Sequence, residues 1–346
     1  MIKTAVVILN WNGKHFLEQF LGGVINHSAG PDVEIYVADN GSTDESVPYL
    51  KKEFPGVKLI LLDKNHGFSE GYNRALRGID ARYYVLLNSD VEVTLHWIDP
   101  VISLMDKDET IAACQPKIRS YLHREYFEYA GAAGGFIDRL GYPFCRGRIL
   151  NHIEKDEGQY DQVTDIFWAT GACMFVRASL FQSSGGLDPT YFAHMEEIDF
   201  CWRMKNMGYR ILYVPQSTVF HVGGGTLPNE HPRKLYLNFR NNLLTLIKNL
   251  PPGTLFITLI SRMILDCAAS LKYLASLKIA DSCAVAMAYL SVISRFIPYY
   301  RHRKKLRSST VRHTHKEIYR RSVVVDFFLM KNRKFTQLNP EAFGKQ

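Results

Sequence analysis

Amides and carboxylates recur directly after short apolar runs early in the sequence. Asn10, Asp39, Asn88 and Asp90 each stand just beyond such a run. A carboxylate at a strand end, as expected for Asp39, suits hydrogen bonding to a base or ribose, although Asp-Asn-Gly is also an ordinary turn sequence. Asp90 suits a hard divalent cation, which would take diphosphate oxygens as further ligands and offset the charge of a departing nucleotide diphosphate.

A segment with two glycines, residues 65–74, follows the third apolar run. Gly67 would let the backbone approach a ligand, and the helix that follows would offer its positive end to phosphate. The segment lacks the Gly-x-Gly-x-x-Gly spacing of dinucleotide sites, and no P-loop sequence occurs anywhere in the chain. Both of those nucleotide-binding classes are therefore disfavoured.

Three carboxylates, Glu196, Glu197 and Asp199, fall within four residues at the start of a predicted helix. They could simply complement the positive end of that helix. Asp199 stands four residues before Arg203, which predicts a structural ion pair. Glu196 and Glu197 diverge on a helix, so at most one faces a site. A glutamate beside a like charge can have a raised pKa and act as a general base.

His221 follows a strand-like segment in the second half of the chain. A lone histidine is more often a packed or surface residue than a metal ligand, so its role depends on what lies nearby. The residue type alone leaves both interpretations open.

The elements that must position these side chains follow from the apolar patterns. Four short β-rich runs predict buried parallel strands: residues 5–9, 33–38, 58–62 and 83–87. Helical patterns at 15–25 and 44–53 separate the first three runs, so we expect an α/β parallel sheet with right-handed crossovers. Ligands of such sheets bind beyond the carboxyl ends of the strands, where the polar residues lie.

Later segments are less regular. Glycines and aromatic residues in 126–148 predict an irregular loop region, and a second ordered block begins near residue 165. Within it we expect a helix at 198–207, ended by Gly208, and a strand at 209–214, ended by a proline.

Residues 255–298 are apolar and largely helical, with charges that interrupt every long stretch. The longest uncharged stretch lies at 282–294, shorter than the ~18–20 residues of a spanning helix. Two interpretations therefore stay open: the helices lie in the membrane interface, or they form an amphipathic pair packed on the rest of the protein. The net charge is +8, but residues 299–346 hold thirteen basic and three acidic residues. That cationic tail suits an anionic membrane surface or nucleic acid.

The bulk composition bounds the class of protein. A length of 346 residues suggests two domains at roughly 100–200 residues each. A hydrophobic content of 47% and a charged content of 22% exclude a disordered or fibrous chain. Six cysteines without a Cys-x-x-Cys pair predict reduced thiols in a cytosolic protein. The N-terminus runs straight into a strand and lacks the features of a signal peptide.

The order of these pieces resembles that of glycosyltransferase family 2, which has the GT-A fold, and in particular its rhamnosyltransferase-like branch of bacterial surface-polysaccharide synthesis. The resemblance covers about residues 1–250. The matching blocks are residues 7–13, 37–44, 65–73, 87–90, 170–172, 186–188, 195–203, 208–209, 214–215 and His221.

The resemblance implies an α/β GT-A catalytic domain over residues 1–250 and a helical, basic extension over 251–346. It implies nucleotide-sugar-binding residues Asn10, Asp39, Asn65, Gly67, Asn73, Arg74, Asn88 and Arg240, with Trp168 and Asp188 on the acceptor side. Asp90 takes the metal-binding place of the family's Asp-x-Asp motif, and His221 resembles a second ligand for Mg²⁺ or Mn²⁺. Glu197 stands where the family usually has its base, with Glu196 as the rival. Two residues depart from the family pattern: Asn88 and Glu197 each replace an Asp.

The implied reaction is inverting transfer of a sugar, with rhamnose favoured, from a dTDP-, UDP- or GDP-linked donor to a glycan or lipid-linked acceptor. We expect a cytoplasmic protein, peripheral on the inner face of the cell membrane, without a nucleic-acid partner. A nucleotidyltransferase is the first alternative, but Asn-Trp-Asn-Gly replaces the glycine-rich loop that such enzymes usually have after the first strand. A non-catalytic nucleotide-sugar-binding membrane scaffold is the second, and the retained carboxylates disfavour it.

Overall fold

The structure, a computed structural model, describes residues 2–223 and 231–344. Its N-terminal part alternates strands and helices. In chain order these are β1 (Ile2–Asn10), α1 (Lys14–Phe16), α2 (Gly22–His27), β2 (Val33–Asp39), α3 (Ser46–Glu53), β3 (Lys58–Leu61), α4 (Gly67–Leu76) and β4 (Ala81–Asn88). A π-helical turn, Leu17–Leu21, joins α1 to α2. The strands β4, β1, β2 and β3 pair side by side and in parallel, so the predicted parallel α/β sheet is confirmed.

The second half extends this sheet with mixed directions. Its elements are β5 (Val91–Val93), α5 (Asp99–Lys107), β6 (Ile111–Ser120), β11 (Thr164–Asp165), β12 (Cys173–Arg177), α6 (Ala178–Ser183), α7 (Glu196–Asn206) and β13 (Arg210–His221). The sheet order is β11-β13-β6-β12-β4-β1-β2-β3, with β5 paired to β13. The antiparallel strand β12 lies between β4 and β6. The predicted helix at 198–207 and strand at 209–214 are confirmed, although β13 continues past Pro215 to His221.

A second, smaller sheet occupies the region expected to be an irregular loop, so that prediction is wrong. Its strands are β7 (Gly135–Asp138), β8 (Pro143–Cys145), β9 (Arg148–Ile149), β10 (His152–Ile153) and β14 (Ile318–Tyr319). They pair in the order β10-β9-β8-β7-β14. Strands of two to four residues are too short for an alternating pattern to stand out from the sequence.

Both faces of the main sheet are buried, which explains the continuous apolar runs of its strands. Successive residues of β1 point to opposite faces. Val7 packs with Tyr72 and Leu76 of α4, while Val6 packs on the other side with Val24 of α2 and Leu50 of α3. Helices on both faces therefore hold the strand ends at one common edge.

Three helices follow: α8 (Pro232–Asn249), α9 (Leu255–Ala275) and α10 (Ile279–Arg307). The expected helical character of this region is confirmed. A buried polar cluster joins them to the body, since Asp266 of α9 accepts hydrogen bonds from Tyr142 at 2.7 Å and from Tyr289 of α10 at 2.8 Å. Judged by length and composition alone, α10 is the one helix in the described part of the chain that could cross a membrane.

The last segment returns to the body. β14 pairs in parallel with β7, and Val323, at the start of α11 (Val323–Phe328), donates its N–H to the buried carboxylate of Asp138 at 3.0 Å. Lys205 forms an ion pair with Glu317 at 3.1 Å. Part of the basic C-terminal region is thus packed against the sheets.

Candidate active site

Asp39 ends β2 directly beside Asn10, the last residue of β1. Asn10 Nδ2 donates to Asp39 Oδ1 at 3.1 Å, and the Ser42 backbone N–H donates to Asp39 Oδ2 at 2.9 Å. Asp39 is 3% exposed and Asn10 is fully buried. Asn10, expected to bind the nucleotide-sugar, therefore holds Asp39 in place, and its own contact with a ligand stays a prediction.

The loops after β1 and β2 are joined to each other. Asn12 Oδ1 accepts the backbone N–H of Thr43 at 2.7 Å, and the Asn12 backbone N–H donates to the Ser42 hydroxyl at 2.9 Å. This leaves Trp11 with 41% of its surface exposed beside Asn10. Aromatic faces of this kind stack on nucleobases. Trp11 is not among the residues singled out from the sequence, although a tryptophan between two turn-forming asparagines is a usable signal for an exposed stacking face.

Asp90 and His221 meet across adjoining strands. His221, the last residue of β13, pairs with Val91 of β5, and its Nε2 atom lies 3.1 Å from Asp90 Oδ1. Asn88 Nδ2 lies 3.5 Å from the same ring nitrogen. The structure therefore brings together Asn88, Asp90 and His221, three of the residues singled out from the sequence.

Glu128 completes this cluster, and the sequence argument missed it. Its Oε2 atom lies 3.2 Å from His221 Nδ1 as an ion-pair contact and also accepts the Ala130 N–H at 2.5 Å. Burial alone would lower the pKa of His221, but Asp90 and Glu128 raise it to about 10. Burial would likewise raise the pKa of Asp90, yet His221 holds it below its usual value. No pattern around residue 128 signals this contact, because Glu128 lies in the irregular segment between β6 and β7, where its backbone N–H donates to the Ile118 carbonyl of β6 at 3.1 Å.

The donor chemistry of this cluster fits a divalent cation. One carboxylate oxygen and one imidazole nitrogen are suitable ligands for Mg²⁺ or Mn²⁺. Because Asp90 and Glu128 favour the protonated ring, His221 would have to give up its Nε2 proton when an ion binds. Within residues 2–223 and 231–344, no group of three or more His, Cys, Asp or Glu side chains is arranged to hold a metal by itself. An ion here would therefore need oxygens from a ligand and from water, as hard cations in phosphate sites commonly do.

A cavity of about 200 Å³ lies against this cluster, lined in part by Glu128, Tyr129, His221 and Lys234. Ligand pockets commonly have volumes of ~300–1,000 Å³. The cavity is thus too small for a whole nucleotide-sugar. A ligand of that size would have to extend along the edge of the sheet towards Asp39.

The backbone N–H groups at the N-terminus of α4 are already hydrogen-bonded within the protein, so the expectation that this end faces phosphate is wrong. The backbone N–H groups of Phe68 and Ser69 both donate to the Phe192 carbonyl, at 2.6 and 3.2 Å. Asn65 Oδ1 accepts the Gly67 N–H at 2.8 Å, and a Cβ at Gly67 would lie 2.5 Å from the Phe192 ring. Asn65 and Gly67 therefore build a turn that docks α4 on another loop.

Asn73 and Arg74, expected in the donor pocket, have other partners. Asn73 exchanges two hydrogen bonds with the backbone of Leu187, at 2.7 and 2.9 Å. Arg74 forms a surface ion pair with Glu70 at 2.8 Å. The Asn73 assignment is corrected, since its amide is used in loop packing. For Arg74, which faces solvent, the place in the donor pocket stays a prediction.

Glu196 and Glu197 begin α7 and differ in exposure. Glu196 is 4% exposed, whereas Glu197 is partly exposed. Burial raises the pKa of both carboxyls, well above the usual value for Glu196 and to about 7 for Glu197. The Oε2 atom of each is buried and accepts no hydrogen bond from the described residues. Unsatisfied carboxyl oxygens of this kind call for an explanation such as a catalytic role.

Asp199 is structural, as its spacing to Arg203 predicts. Arg203 Nε donates to Asp199 Oδ2 at 3.0 Å, and Lys248 Nζ of α8 donates to the same oxygen at 2.8 Å. Burial would raise the pKa of Asp199, but Lys248 and Arg203 lower it to about 2. This carboxylate ties α7 to α8.

Three further expectations are corrected by the structure. Trp168 is 4% exposed, and its indole N–H donates to the Phe136 carbonyl at 2.9 Å, so it is a core residue. Both oxygens of Asp188 are engaged, by Lys248 and Tyr299 among others. Arg240 Nη2 donates to the Thr190 carbonyl at 2.8 Å, so this nitrogen binds the protein and not a diphosphate. Trp168 and Asp188 therefore offer no free group to an acceptor, and the Nε and Nη2 atoms of Arg240 are used by the protein itself.

Comparison with known sequences gives a family. The family model described as Glycosyl transferase family 2 matches residues 5–184, just over half of the chain. The N-acetylglucosaminyl-diphospho-decaprenol L-rhamnosyltransferase of Mycobacterium tuberculosis is 27% identical over 234 residues, which cover 62% of this chain and 75% of that protein. The rhamnosyltransferase WbbL of Escherichia coli K12 is 29% identical over 167 residues, covering 45% of this chain and 61% of WbbL.

Solved structures share the fold. GalNAc-T7, crystallised with UDP, GalNAc and Mn²⁺, superposes with a TM-score of 0.56 at 17% identity, covering 72% of this chain and 48% of that one. This chain thus matches about half the length of GalNAc-T7. A fragment of S. aureus TarS in complex with UDP-GlcNAc gives a TM-score of 0.54 at 14% identity, covering 89% and 91%. These likenesses confirm the expected α/β fold of the GT-A type.

Proposed function

This chain belongs to glycosyltransferase family 2 and is a glycosyltransferase, and we propose that it moves rhamnose from dTDP-rhamnose to a lipid-linked glycan with inversion at the anomeric carbon. The relatives named above support the choice of sugar, because two of them are rhamnosyltransferases. The name of the mycobacterial relative includes a diphospho-decaprenol-linked sugar, which supports a lipid-linked acceptor. UDP- and GDP-sugars are the competing donors.

The observation that carries the proposal is the Asp90–His221 contact beside Asn88, on the sheet edge that also holds Asp39. Asp39 would accept hydrogen bonds from the base or ribose, and the exposed Trp11 face would stack on the base. Asp90 and His221 would hold a Mg²⁺ or Mn²⁺ ion. Such an ion, when bound, offsets the negative charge that develops on the leaving diphosphate.

Glu197 is the proposed general base. Glu197 is the more exposed residue of the pair, although its carboxyl Oε2 atom is buried, and burial raises its pKa to about 7, which suits proton abstraction near neutral pH. The acceptor hydroxyl gives its proton to Glu197, and its oxygen forms a bond to the anomeric carbon. The bond from that carbon to the diphosphate oxygen breaks, and the nucleotide diphosphate leaves with the electron pair. Glu196 keeps its proton, because its carboxyl is buried without a partner cation.

A donor screen tests this function. Purified protein is incubated with dTDP-rhamnose, UDP-sugars and GDP-sugars, an undecaprenyl- or decaprenyl-diphosphate sugar and Mg²⁺ or Mn²⁺, and nucleotide-diphosphate release is measured. We expect acceptor-dependent release of dTDP, most of which is lost in Glu197→Gln. Release only of pyrophosphate from a nucleoside triphosphate and a sugar phosphate would instead indicate a nucleotidyltransferase.

The proposed lipid-linked acceptor requires contact with a membrane, and α9 with α10 offers the surface. Their outward side chains form an apolar face in which each residue is between 45% and 69% exposed: Phe256, Ile257, Ile260, Met263, Ile264, Leu271, Leu274, Met287, Leu290, Ile293 and Ile297. Eleven exposed apolar side chains on two neighbouring helices are more than scattered single residues, which favours an interaction site. Exposed basic residues, among them Arg301, Lys304 and Lys305, follow at the end of α10, which favours an anionic bilayer as the partner.

The helices would lie in the interface rather than cross the bilayer. The inner side of α10 is committed to the body, since Tyr299 donates to Asp188 at 3.0 Å and Arg303 donates to the Ile247 carbonyl at 3.1 Å. A crossing helix would have to break these contacts. The protein is therefore proposed to be peripheral on the cytoplasmic face of the membrane.

Vesicle flotation tests the apolar face. Wild type should float with phosphatidylcholine vesicles that contain phosphatidylglycerol, and the Ile260→Glu/Ile293→Glu variant should not. Leu95→Glu is the matched control, because Leu95 is 70% exposed in the turn between β5 and α5, and it should float like wild type. Failure of wild type to float, together with a dimer that Ile260→Glu/Ile293→Glu disrupts, would assign the face to a second copy of the chain.

A further inference from the structure

The loop that leads into Glu196 and Glu197 is held by one amide from another helix. Asn241 of α8 is fully buried, and its Nδ2 atom lies 3.0 Å from the Tyr191 carbonyl, 2.9 Å from that of Ala193 and 2.7 Å from that of His194. The two amide hydrogens are thus shared among three carbonyl oxygens. Three carbonyl groups of the loop therefore bind this single side chain.

Arg240 adds to the same contact and orients the amide. Its Nη2 atom donates to the carbonyls of Thr190 and Tyr191 at 2.8 and 3.0 Å. Its Nε atom donates to Asn241 Oδ1 at 2.8 Å. That bond determines which end of the Asn241 amide is oxygen, so the nitrogen must face the loop. The remaining carbonyl, that of Phe192, accepts from the start of α4.

The loop needs external support because its backbone is strained. Phe192, His194 and Met195 have φ angles of 65°, 70° and 73°, in the left-handed region that residues with side chains rarely adopt. Three such residues in four positions persist only where surrounding contacts over-determine them, and such strain clusters at active sites. The strained segment ends at Met195, which is the residue before Glu196.

We propose that Asn241 and Arg240 are positioning residues that hold residues 190–195 in this strained conformation and thereby place Glu197 for proton transfer. The inference rests on the proposed role of Glu197 as the base. Neither residue touches the substrate in this account. They act through the loop. The loop sets the position at which α7 begins and thereby keeps the Glu197 carboxyl in its buried position.

The rest of α8 is attached independently, so the contact can be tested without detaching the helix. Asn242 Nδ2 donates to the Gly141 carbonyl at 2.7 Å, and Lys248 and Asn249 both bind Asp199. Asn242 is 5% exposed on the same helix, and its amide holds a turn remote in sequence from α7. It is therefore the matched control for Asn241.

The experiment compares Asn241→Ala with Asn242→Ala in the full-length protein, by steady-state kinetics, donor titration and thermal unfolding. We expect Asn241→Ala to lower kcat on the order of 10–100-fold, the effect of a small misplacement of a reacting group, with donor Kd within about twofold. Asn242→Ala should keep kcat within about twofold at a similar loss of Tm. The acid limb of the kcat/KM profile should also move in Asn241→Ala, because the Glu197 environment changes.

Combining Asn241→Ala with Glu197→Gln distinguishes a failure of this inference from a failure of the proposed base. If Asn241 acts through Glu197, then Glu197→Gln/Asn241→Ala is no slower than Glu197→Gln alone. Full activity of Glu197→Gln would overturn the base and this inference together. An inactive Glu197→Gln with normal kcat in Asn241→Ala, or with equal losses in Asn241→Ala and Asn242→Ala, would overturn this inference alone. Should Asn241→Ala not fold, Arg240→Lys, which keeps the charge and loses the fork, takes its place with the same expected outcomes.

Discussion

His221 Nε2 lies 3.1 Å from Asp90 Oδ1, and the two residues are carried by adjoining strands whose backbones are also bonded, from the Val222 N–H to the Asp90 carbonyl at 3.1 Å. They are 131 positions apart in the chain. The contact is formed only because the last residue of β13 reaches the same sheet edge as the end of β4. The proposed metal site depends on this junction.

Glu128→Gln should weaken metal binding without removing it. Glu128 faces Nδ1 of His221 while Asp90 faces Nε2, an arrangement that orients an imidazole ligand and makes it more basic. Loss of such a partner typically reduces metal affinity on the order of 10–100-fold. The measurement is the Mn²⁺ concentration for half-maximal activity. Glu92→Gln, which removes a surface ion pair with Arg124, should leave it unchanged, and an unchanged value in Glu128→Gln would contradict the orienting role.

Activity should fall as the pH drops below about 7. A general base must be ionised, and burial raises the pKa of Glu197 to about 7. The pH dependence of kcat/KM reports groups of the free enzyme, so its acid limb should have a midpoint near pH 7. Glu197→Gln should lose most activity and show no such limb. A wild-type rate that is constant from pH 5 to 8 would contradict the assignment of Glu197.

Asp199→Asn should destabilise the fold strongly. It leaves Lys248 and Arg203 without their buried counter-charge, and breaking a buried ion pair costs about 3–5 kcal/mol. In the wild type, the pKa of the Asp199 carboxyl is about 2 in the folded state, below the ~3.9 of an unfolded Asp. The stabilisation is therefore complete above pH ~4 and is lost as the pH falls towards 2. The free energy of unfolding, measured in urea, reports this stabilisation. The control is Glu53→Gln, which removes an exposed pair with Lys52 and is expected to change stability by no more than ~1 kcal/mol.

Trp11→Ala should raise the donor Kd while kcat changes little. Stacking of a base on an aromatic side chain contributes about 1–3 kcal/mol, which corresponds to roughly 5–150-fold in Kd. The loss should be of similar size for the nucleotide diphosphate alone, since the sugar is not involved. Equal affinity of wild type and Trp11→Ala would remove Trp11 from the site, and Leu122→Ala, at a second exposed apolar residue, controls for general surface effects.

The sequence predicts the parallel sheet and the strand-end residues well, because both follow from local patterns. The runs that become β1, β2 and β4 carry Asn10, Asp39 and Asn88 at their ends, and parallel strands bring such ends to one edge. The small second sheet is not predictable in this way, because it depends on strands of two to four residues and on β14, which arrives from near the C-terminus. The Glu128–His221 contact is not predictable either, because it joins the irregular segment between β6 and β7 to the end of β13.

The errors at individual residues have a common physical cause. Asn73, Asp188 and Arg240 each have hydrogen-bonding groups that a ligand could use, but in the fold those groups bind Leu187, Lys248 and Thr190. A polar residue next to a motif looks the same in the sequence whether it binds a ligand or a loop carbonyl. Only the folded structure shows which of these partners the residue binds.

The most direct test of the account is calorimetric titration of dTDP, UDP and GDP into wild type and Asp90→Asn/His221→Ala, with and without Mn²⁺. The account predicts that Mn²⁺ tightens binding of the preferred nucleotide diphosphate by at least about tenfold, ~1.4 kcal/mol, in wild type only. Binding without Mn²⁺ should be the same in both proteins. An equal effect of Mn²⁺ on both, or none on either, would contradict a metal site at Asp90 and His221.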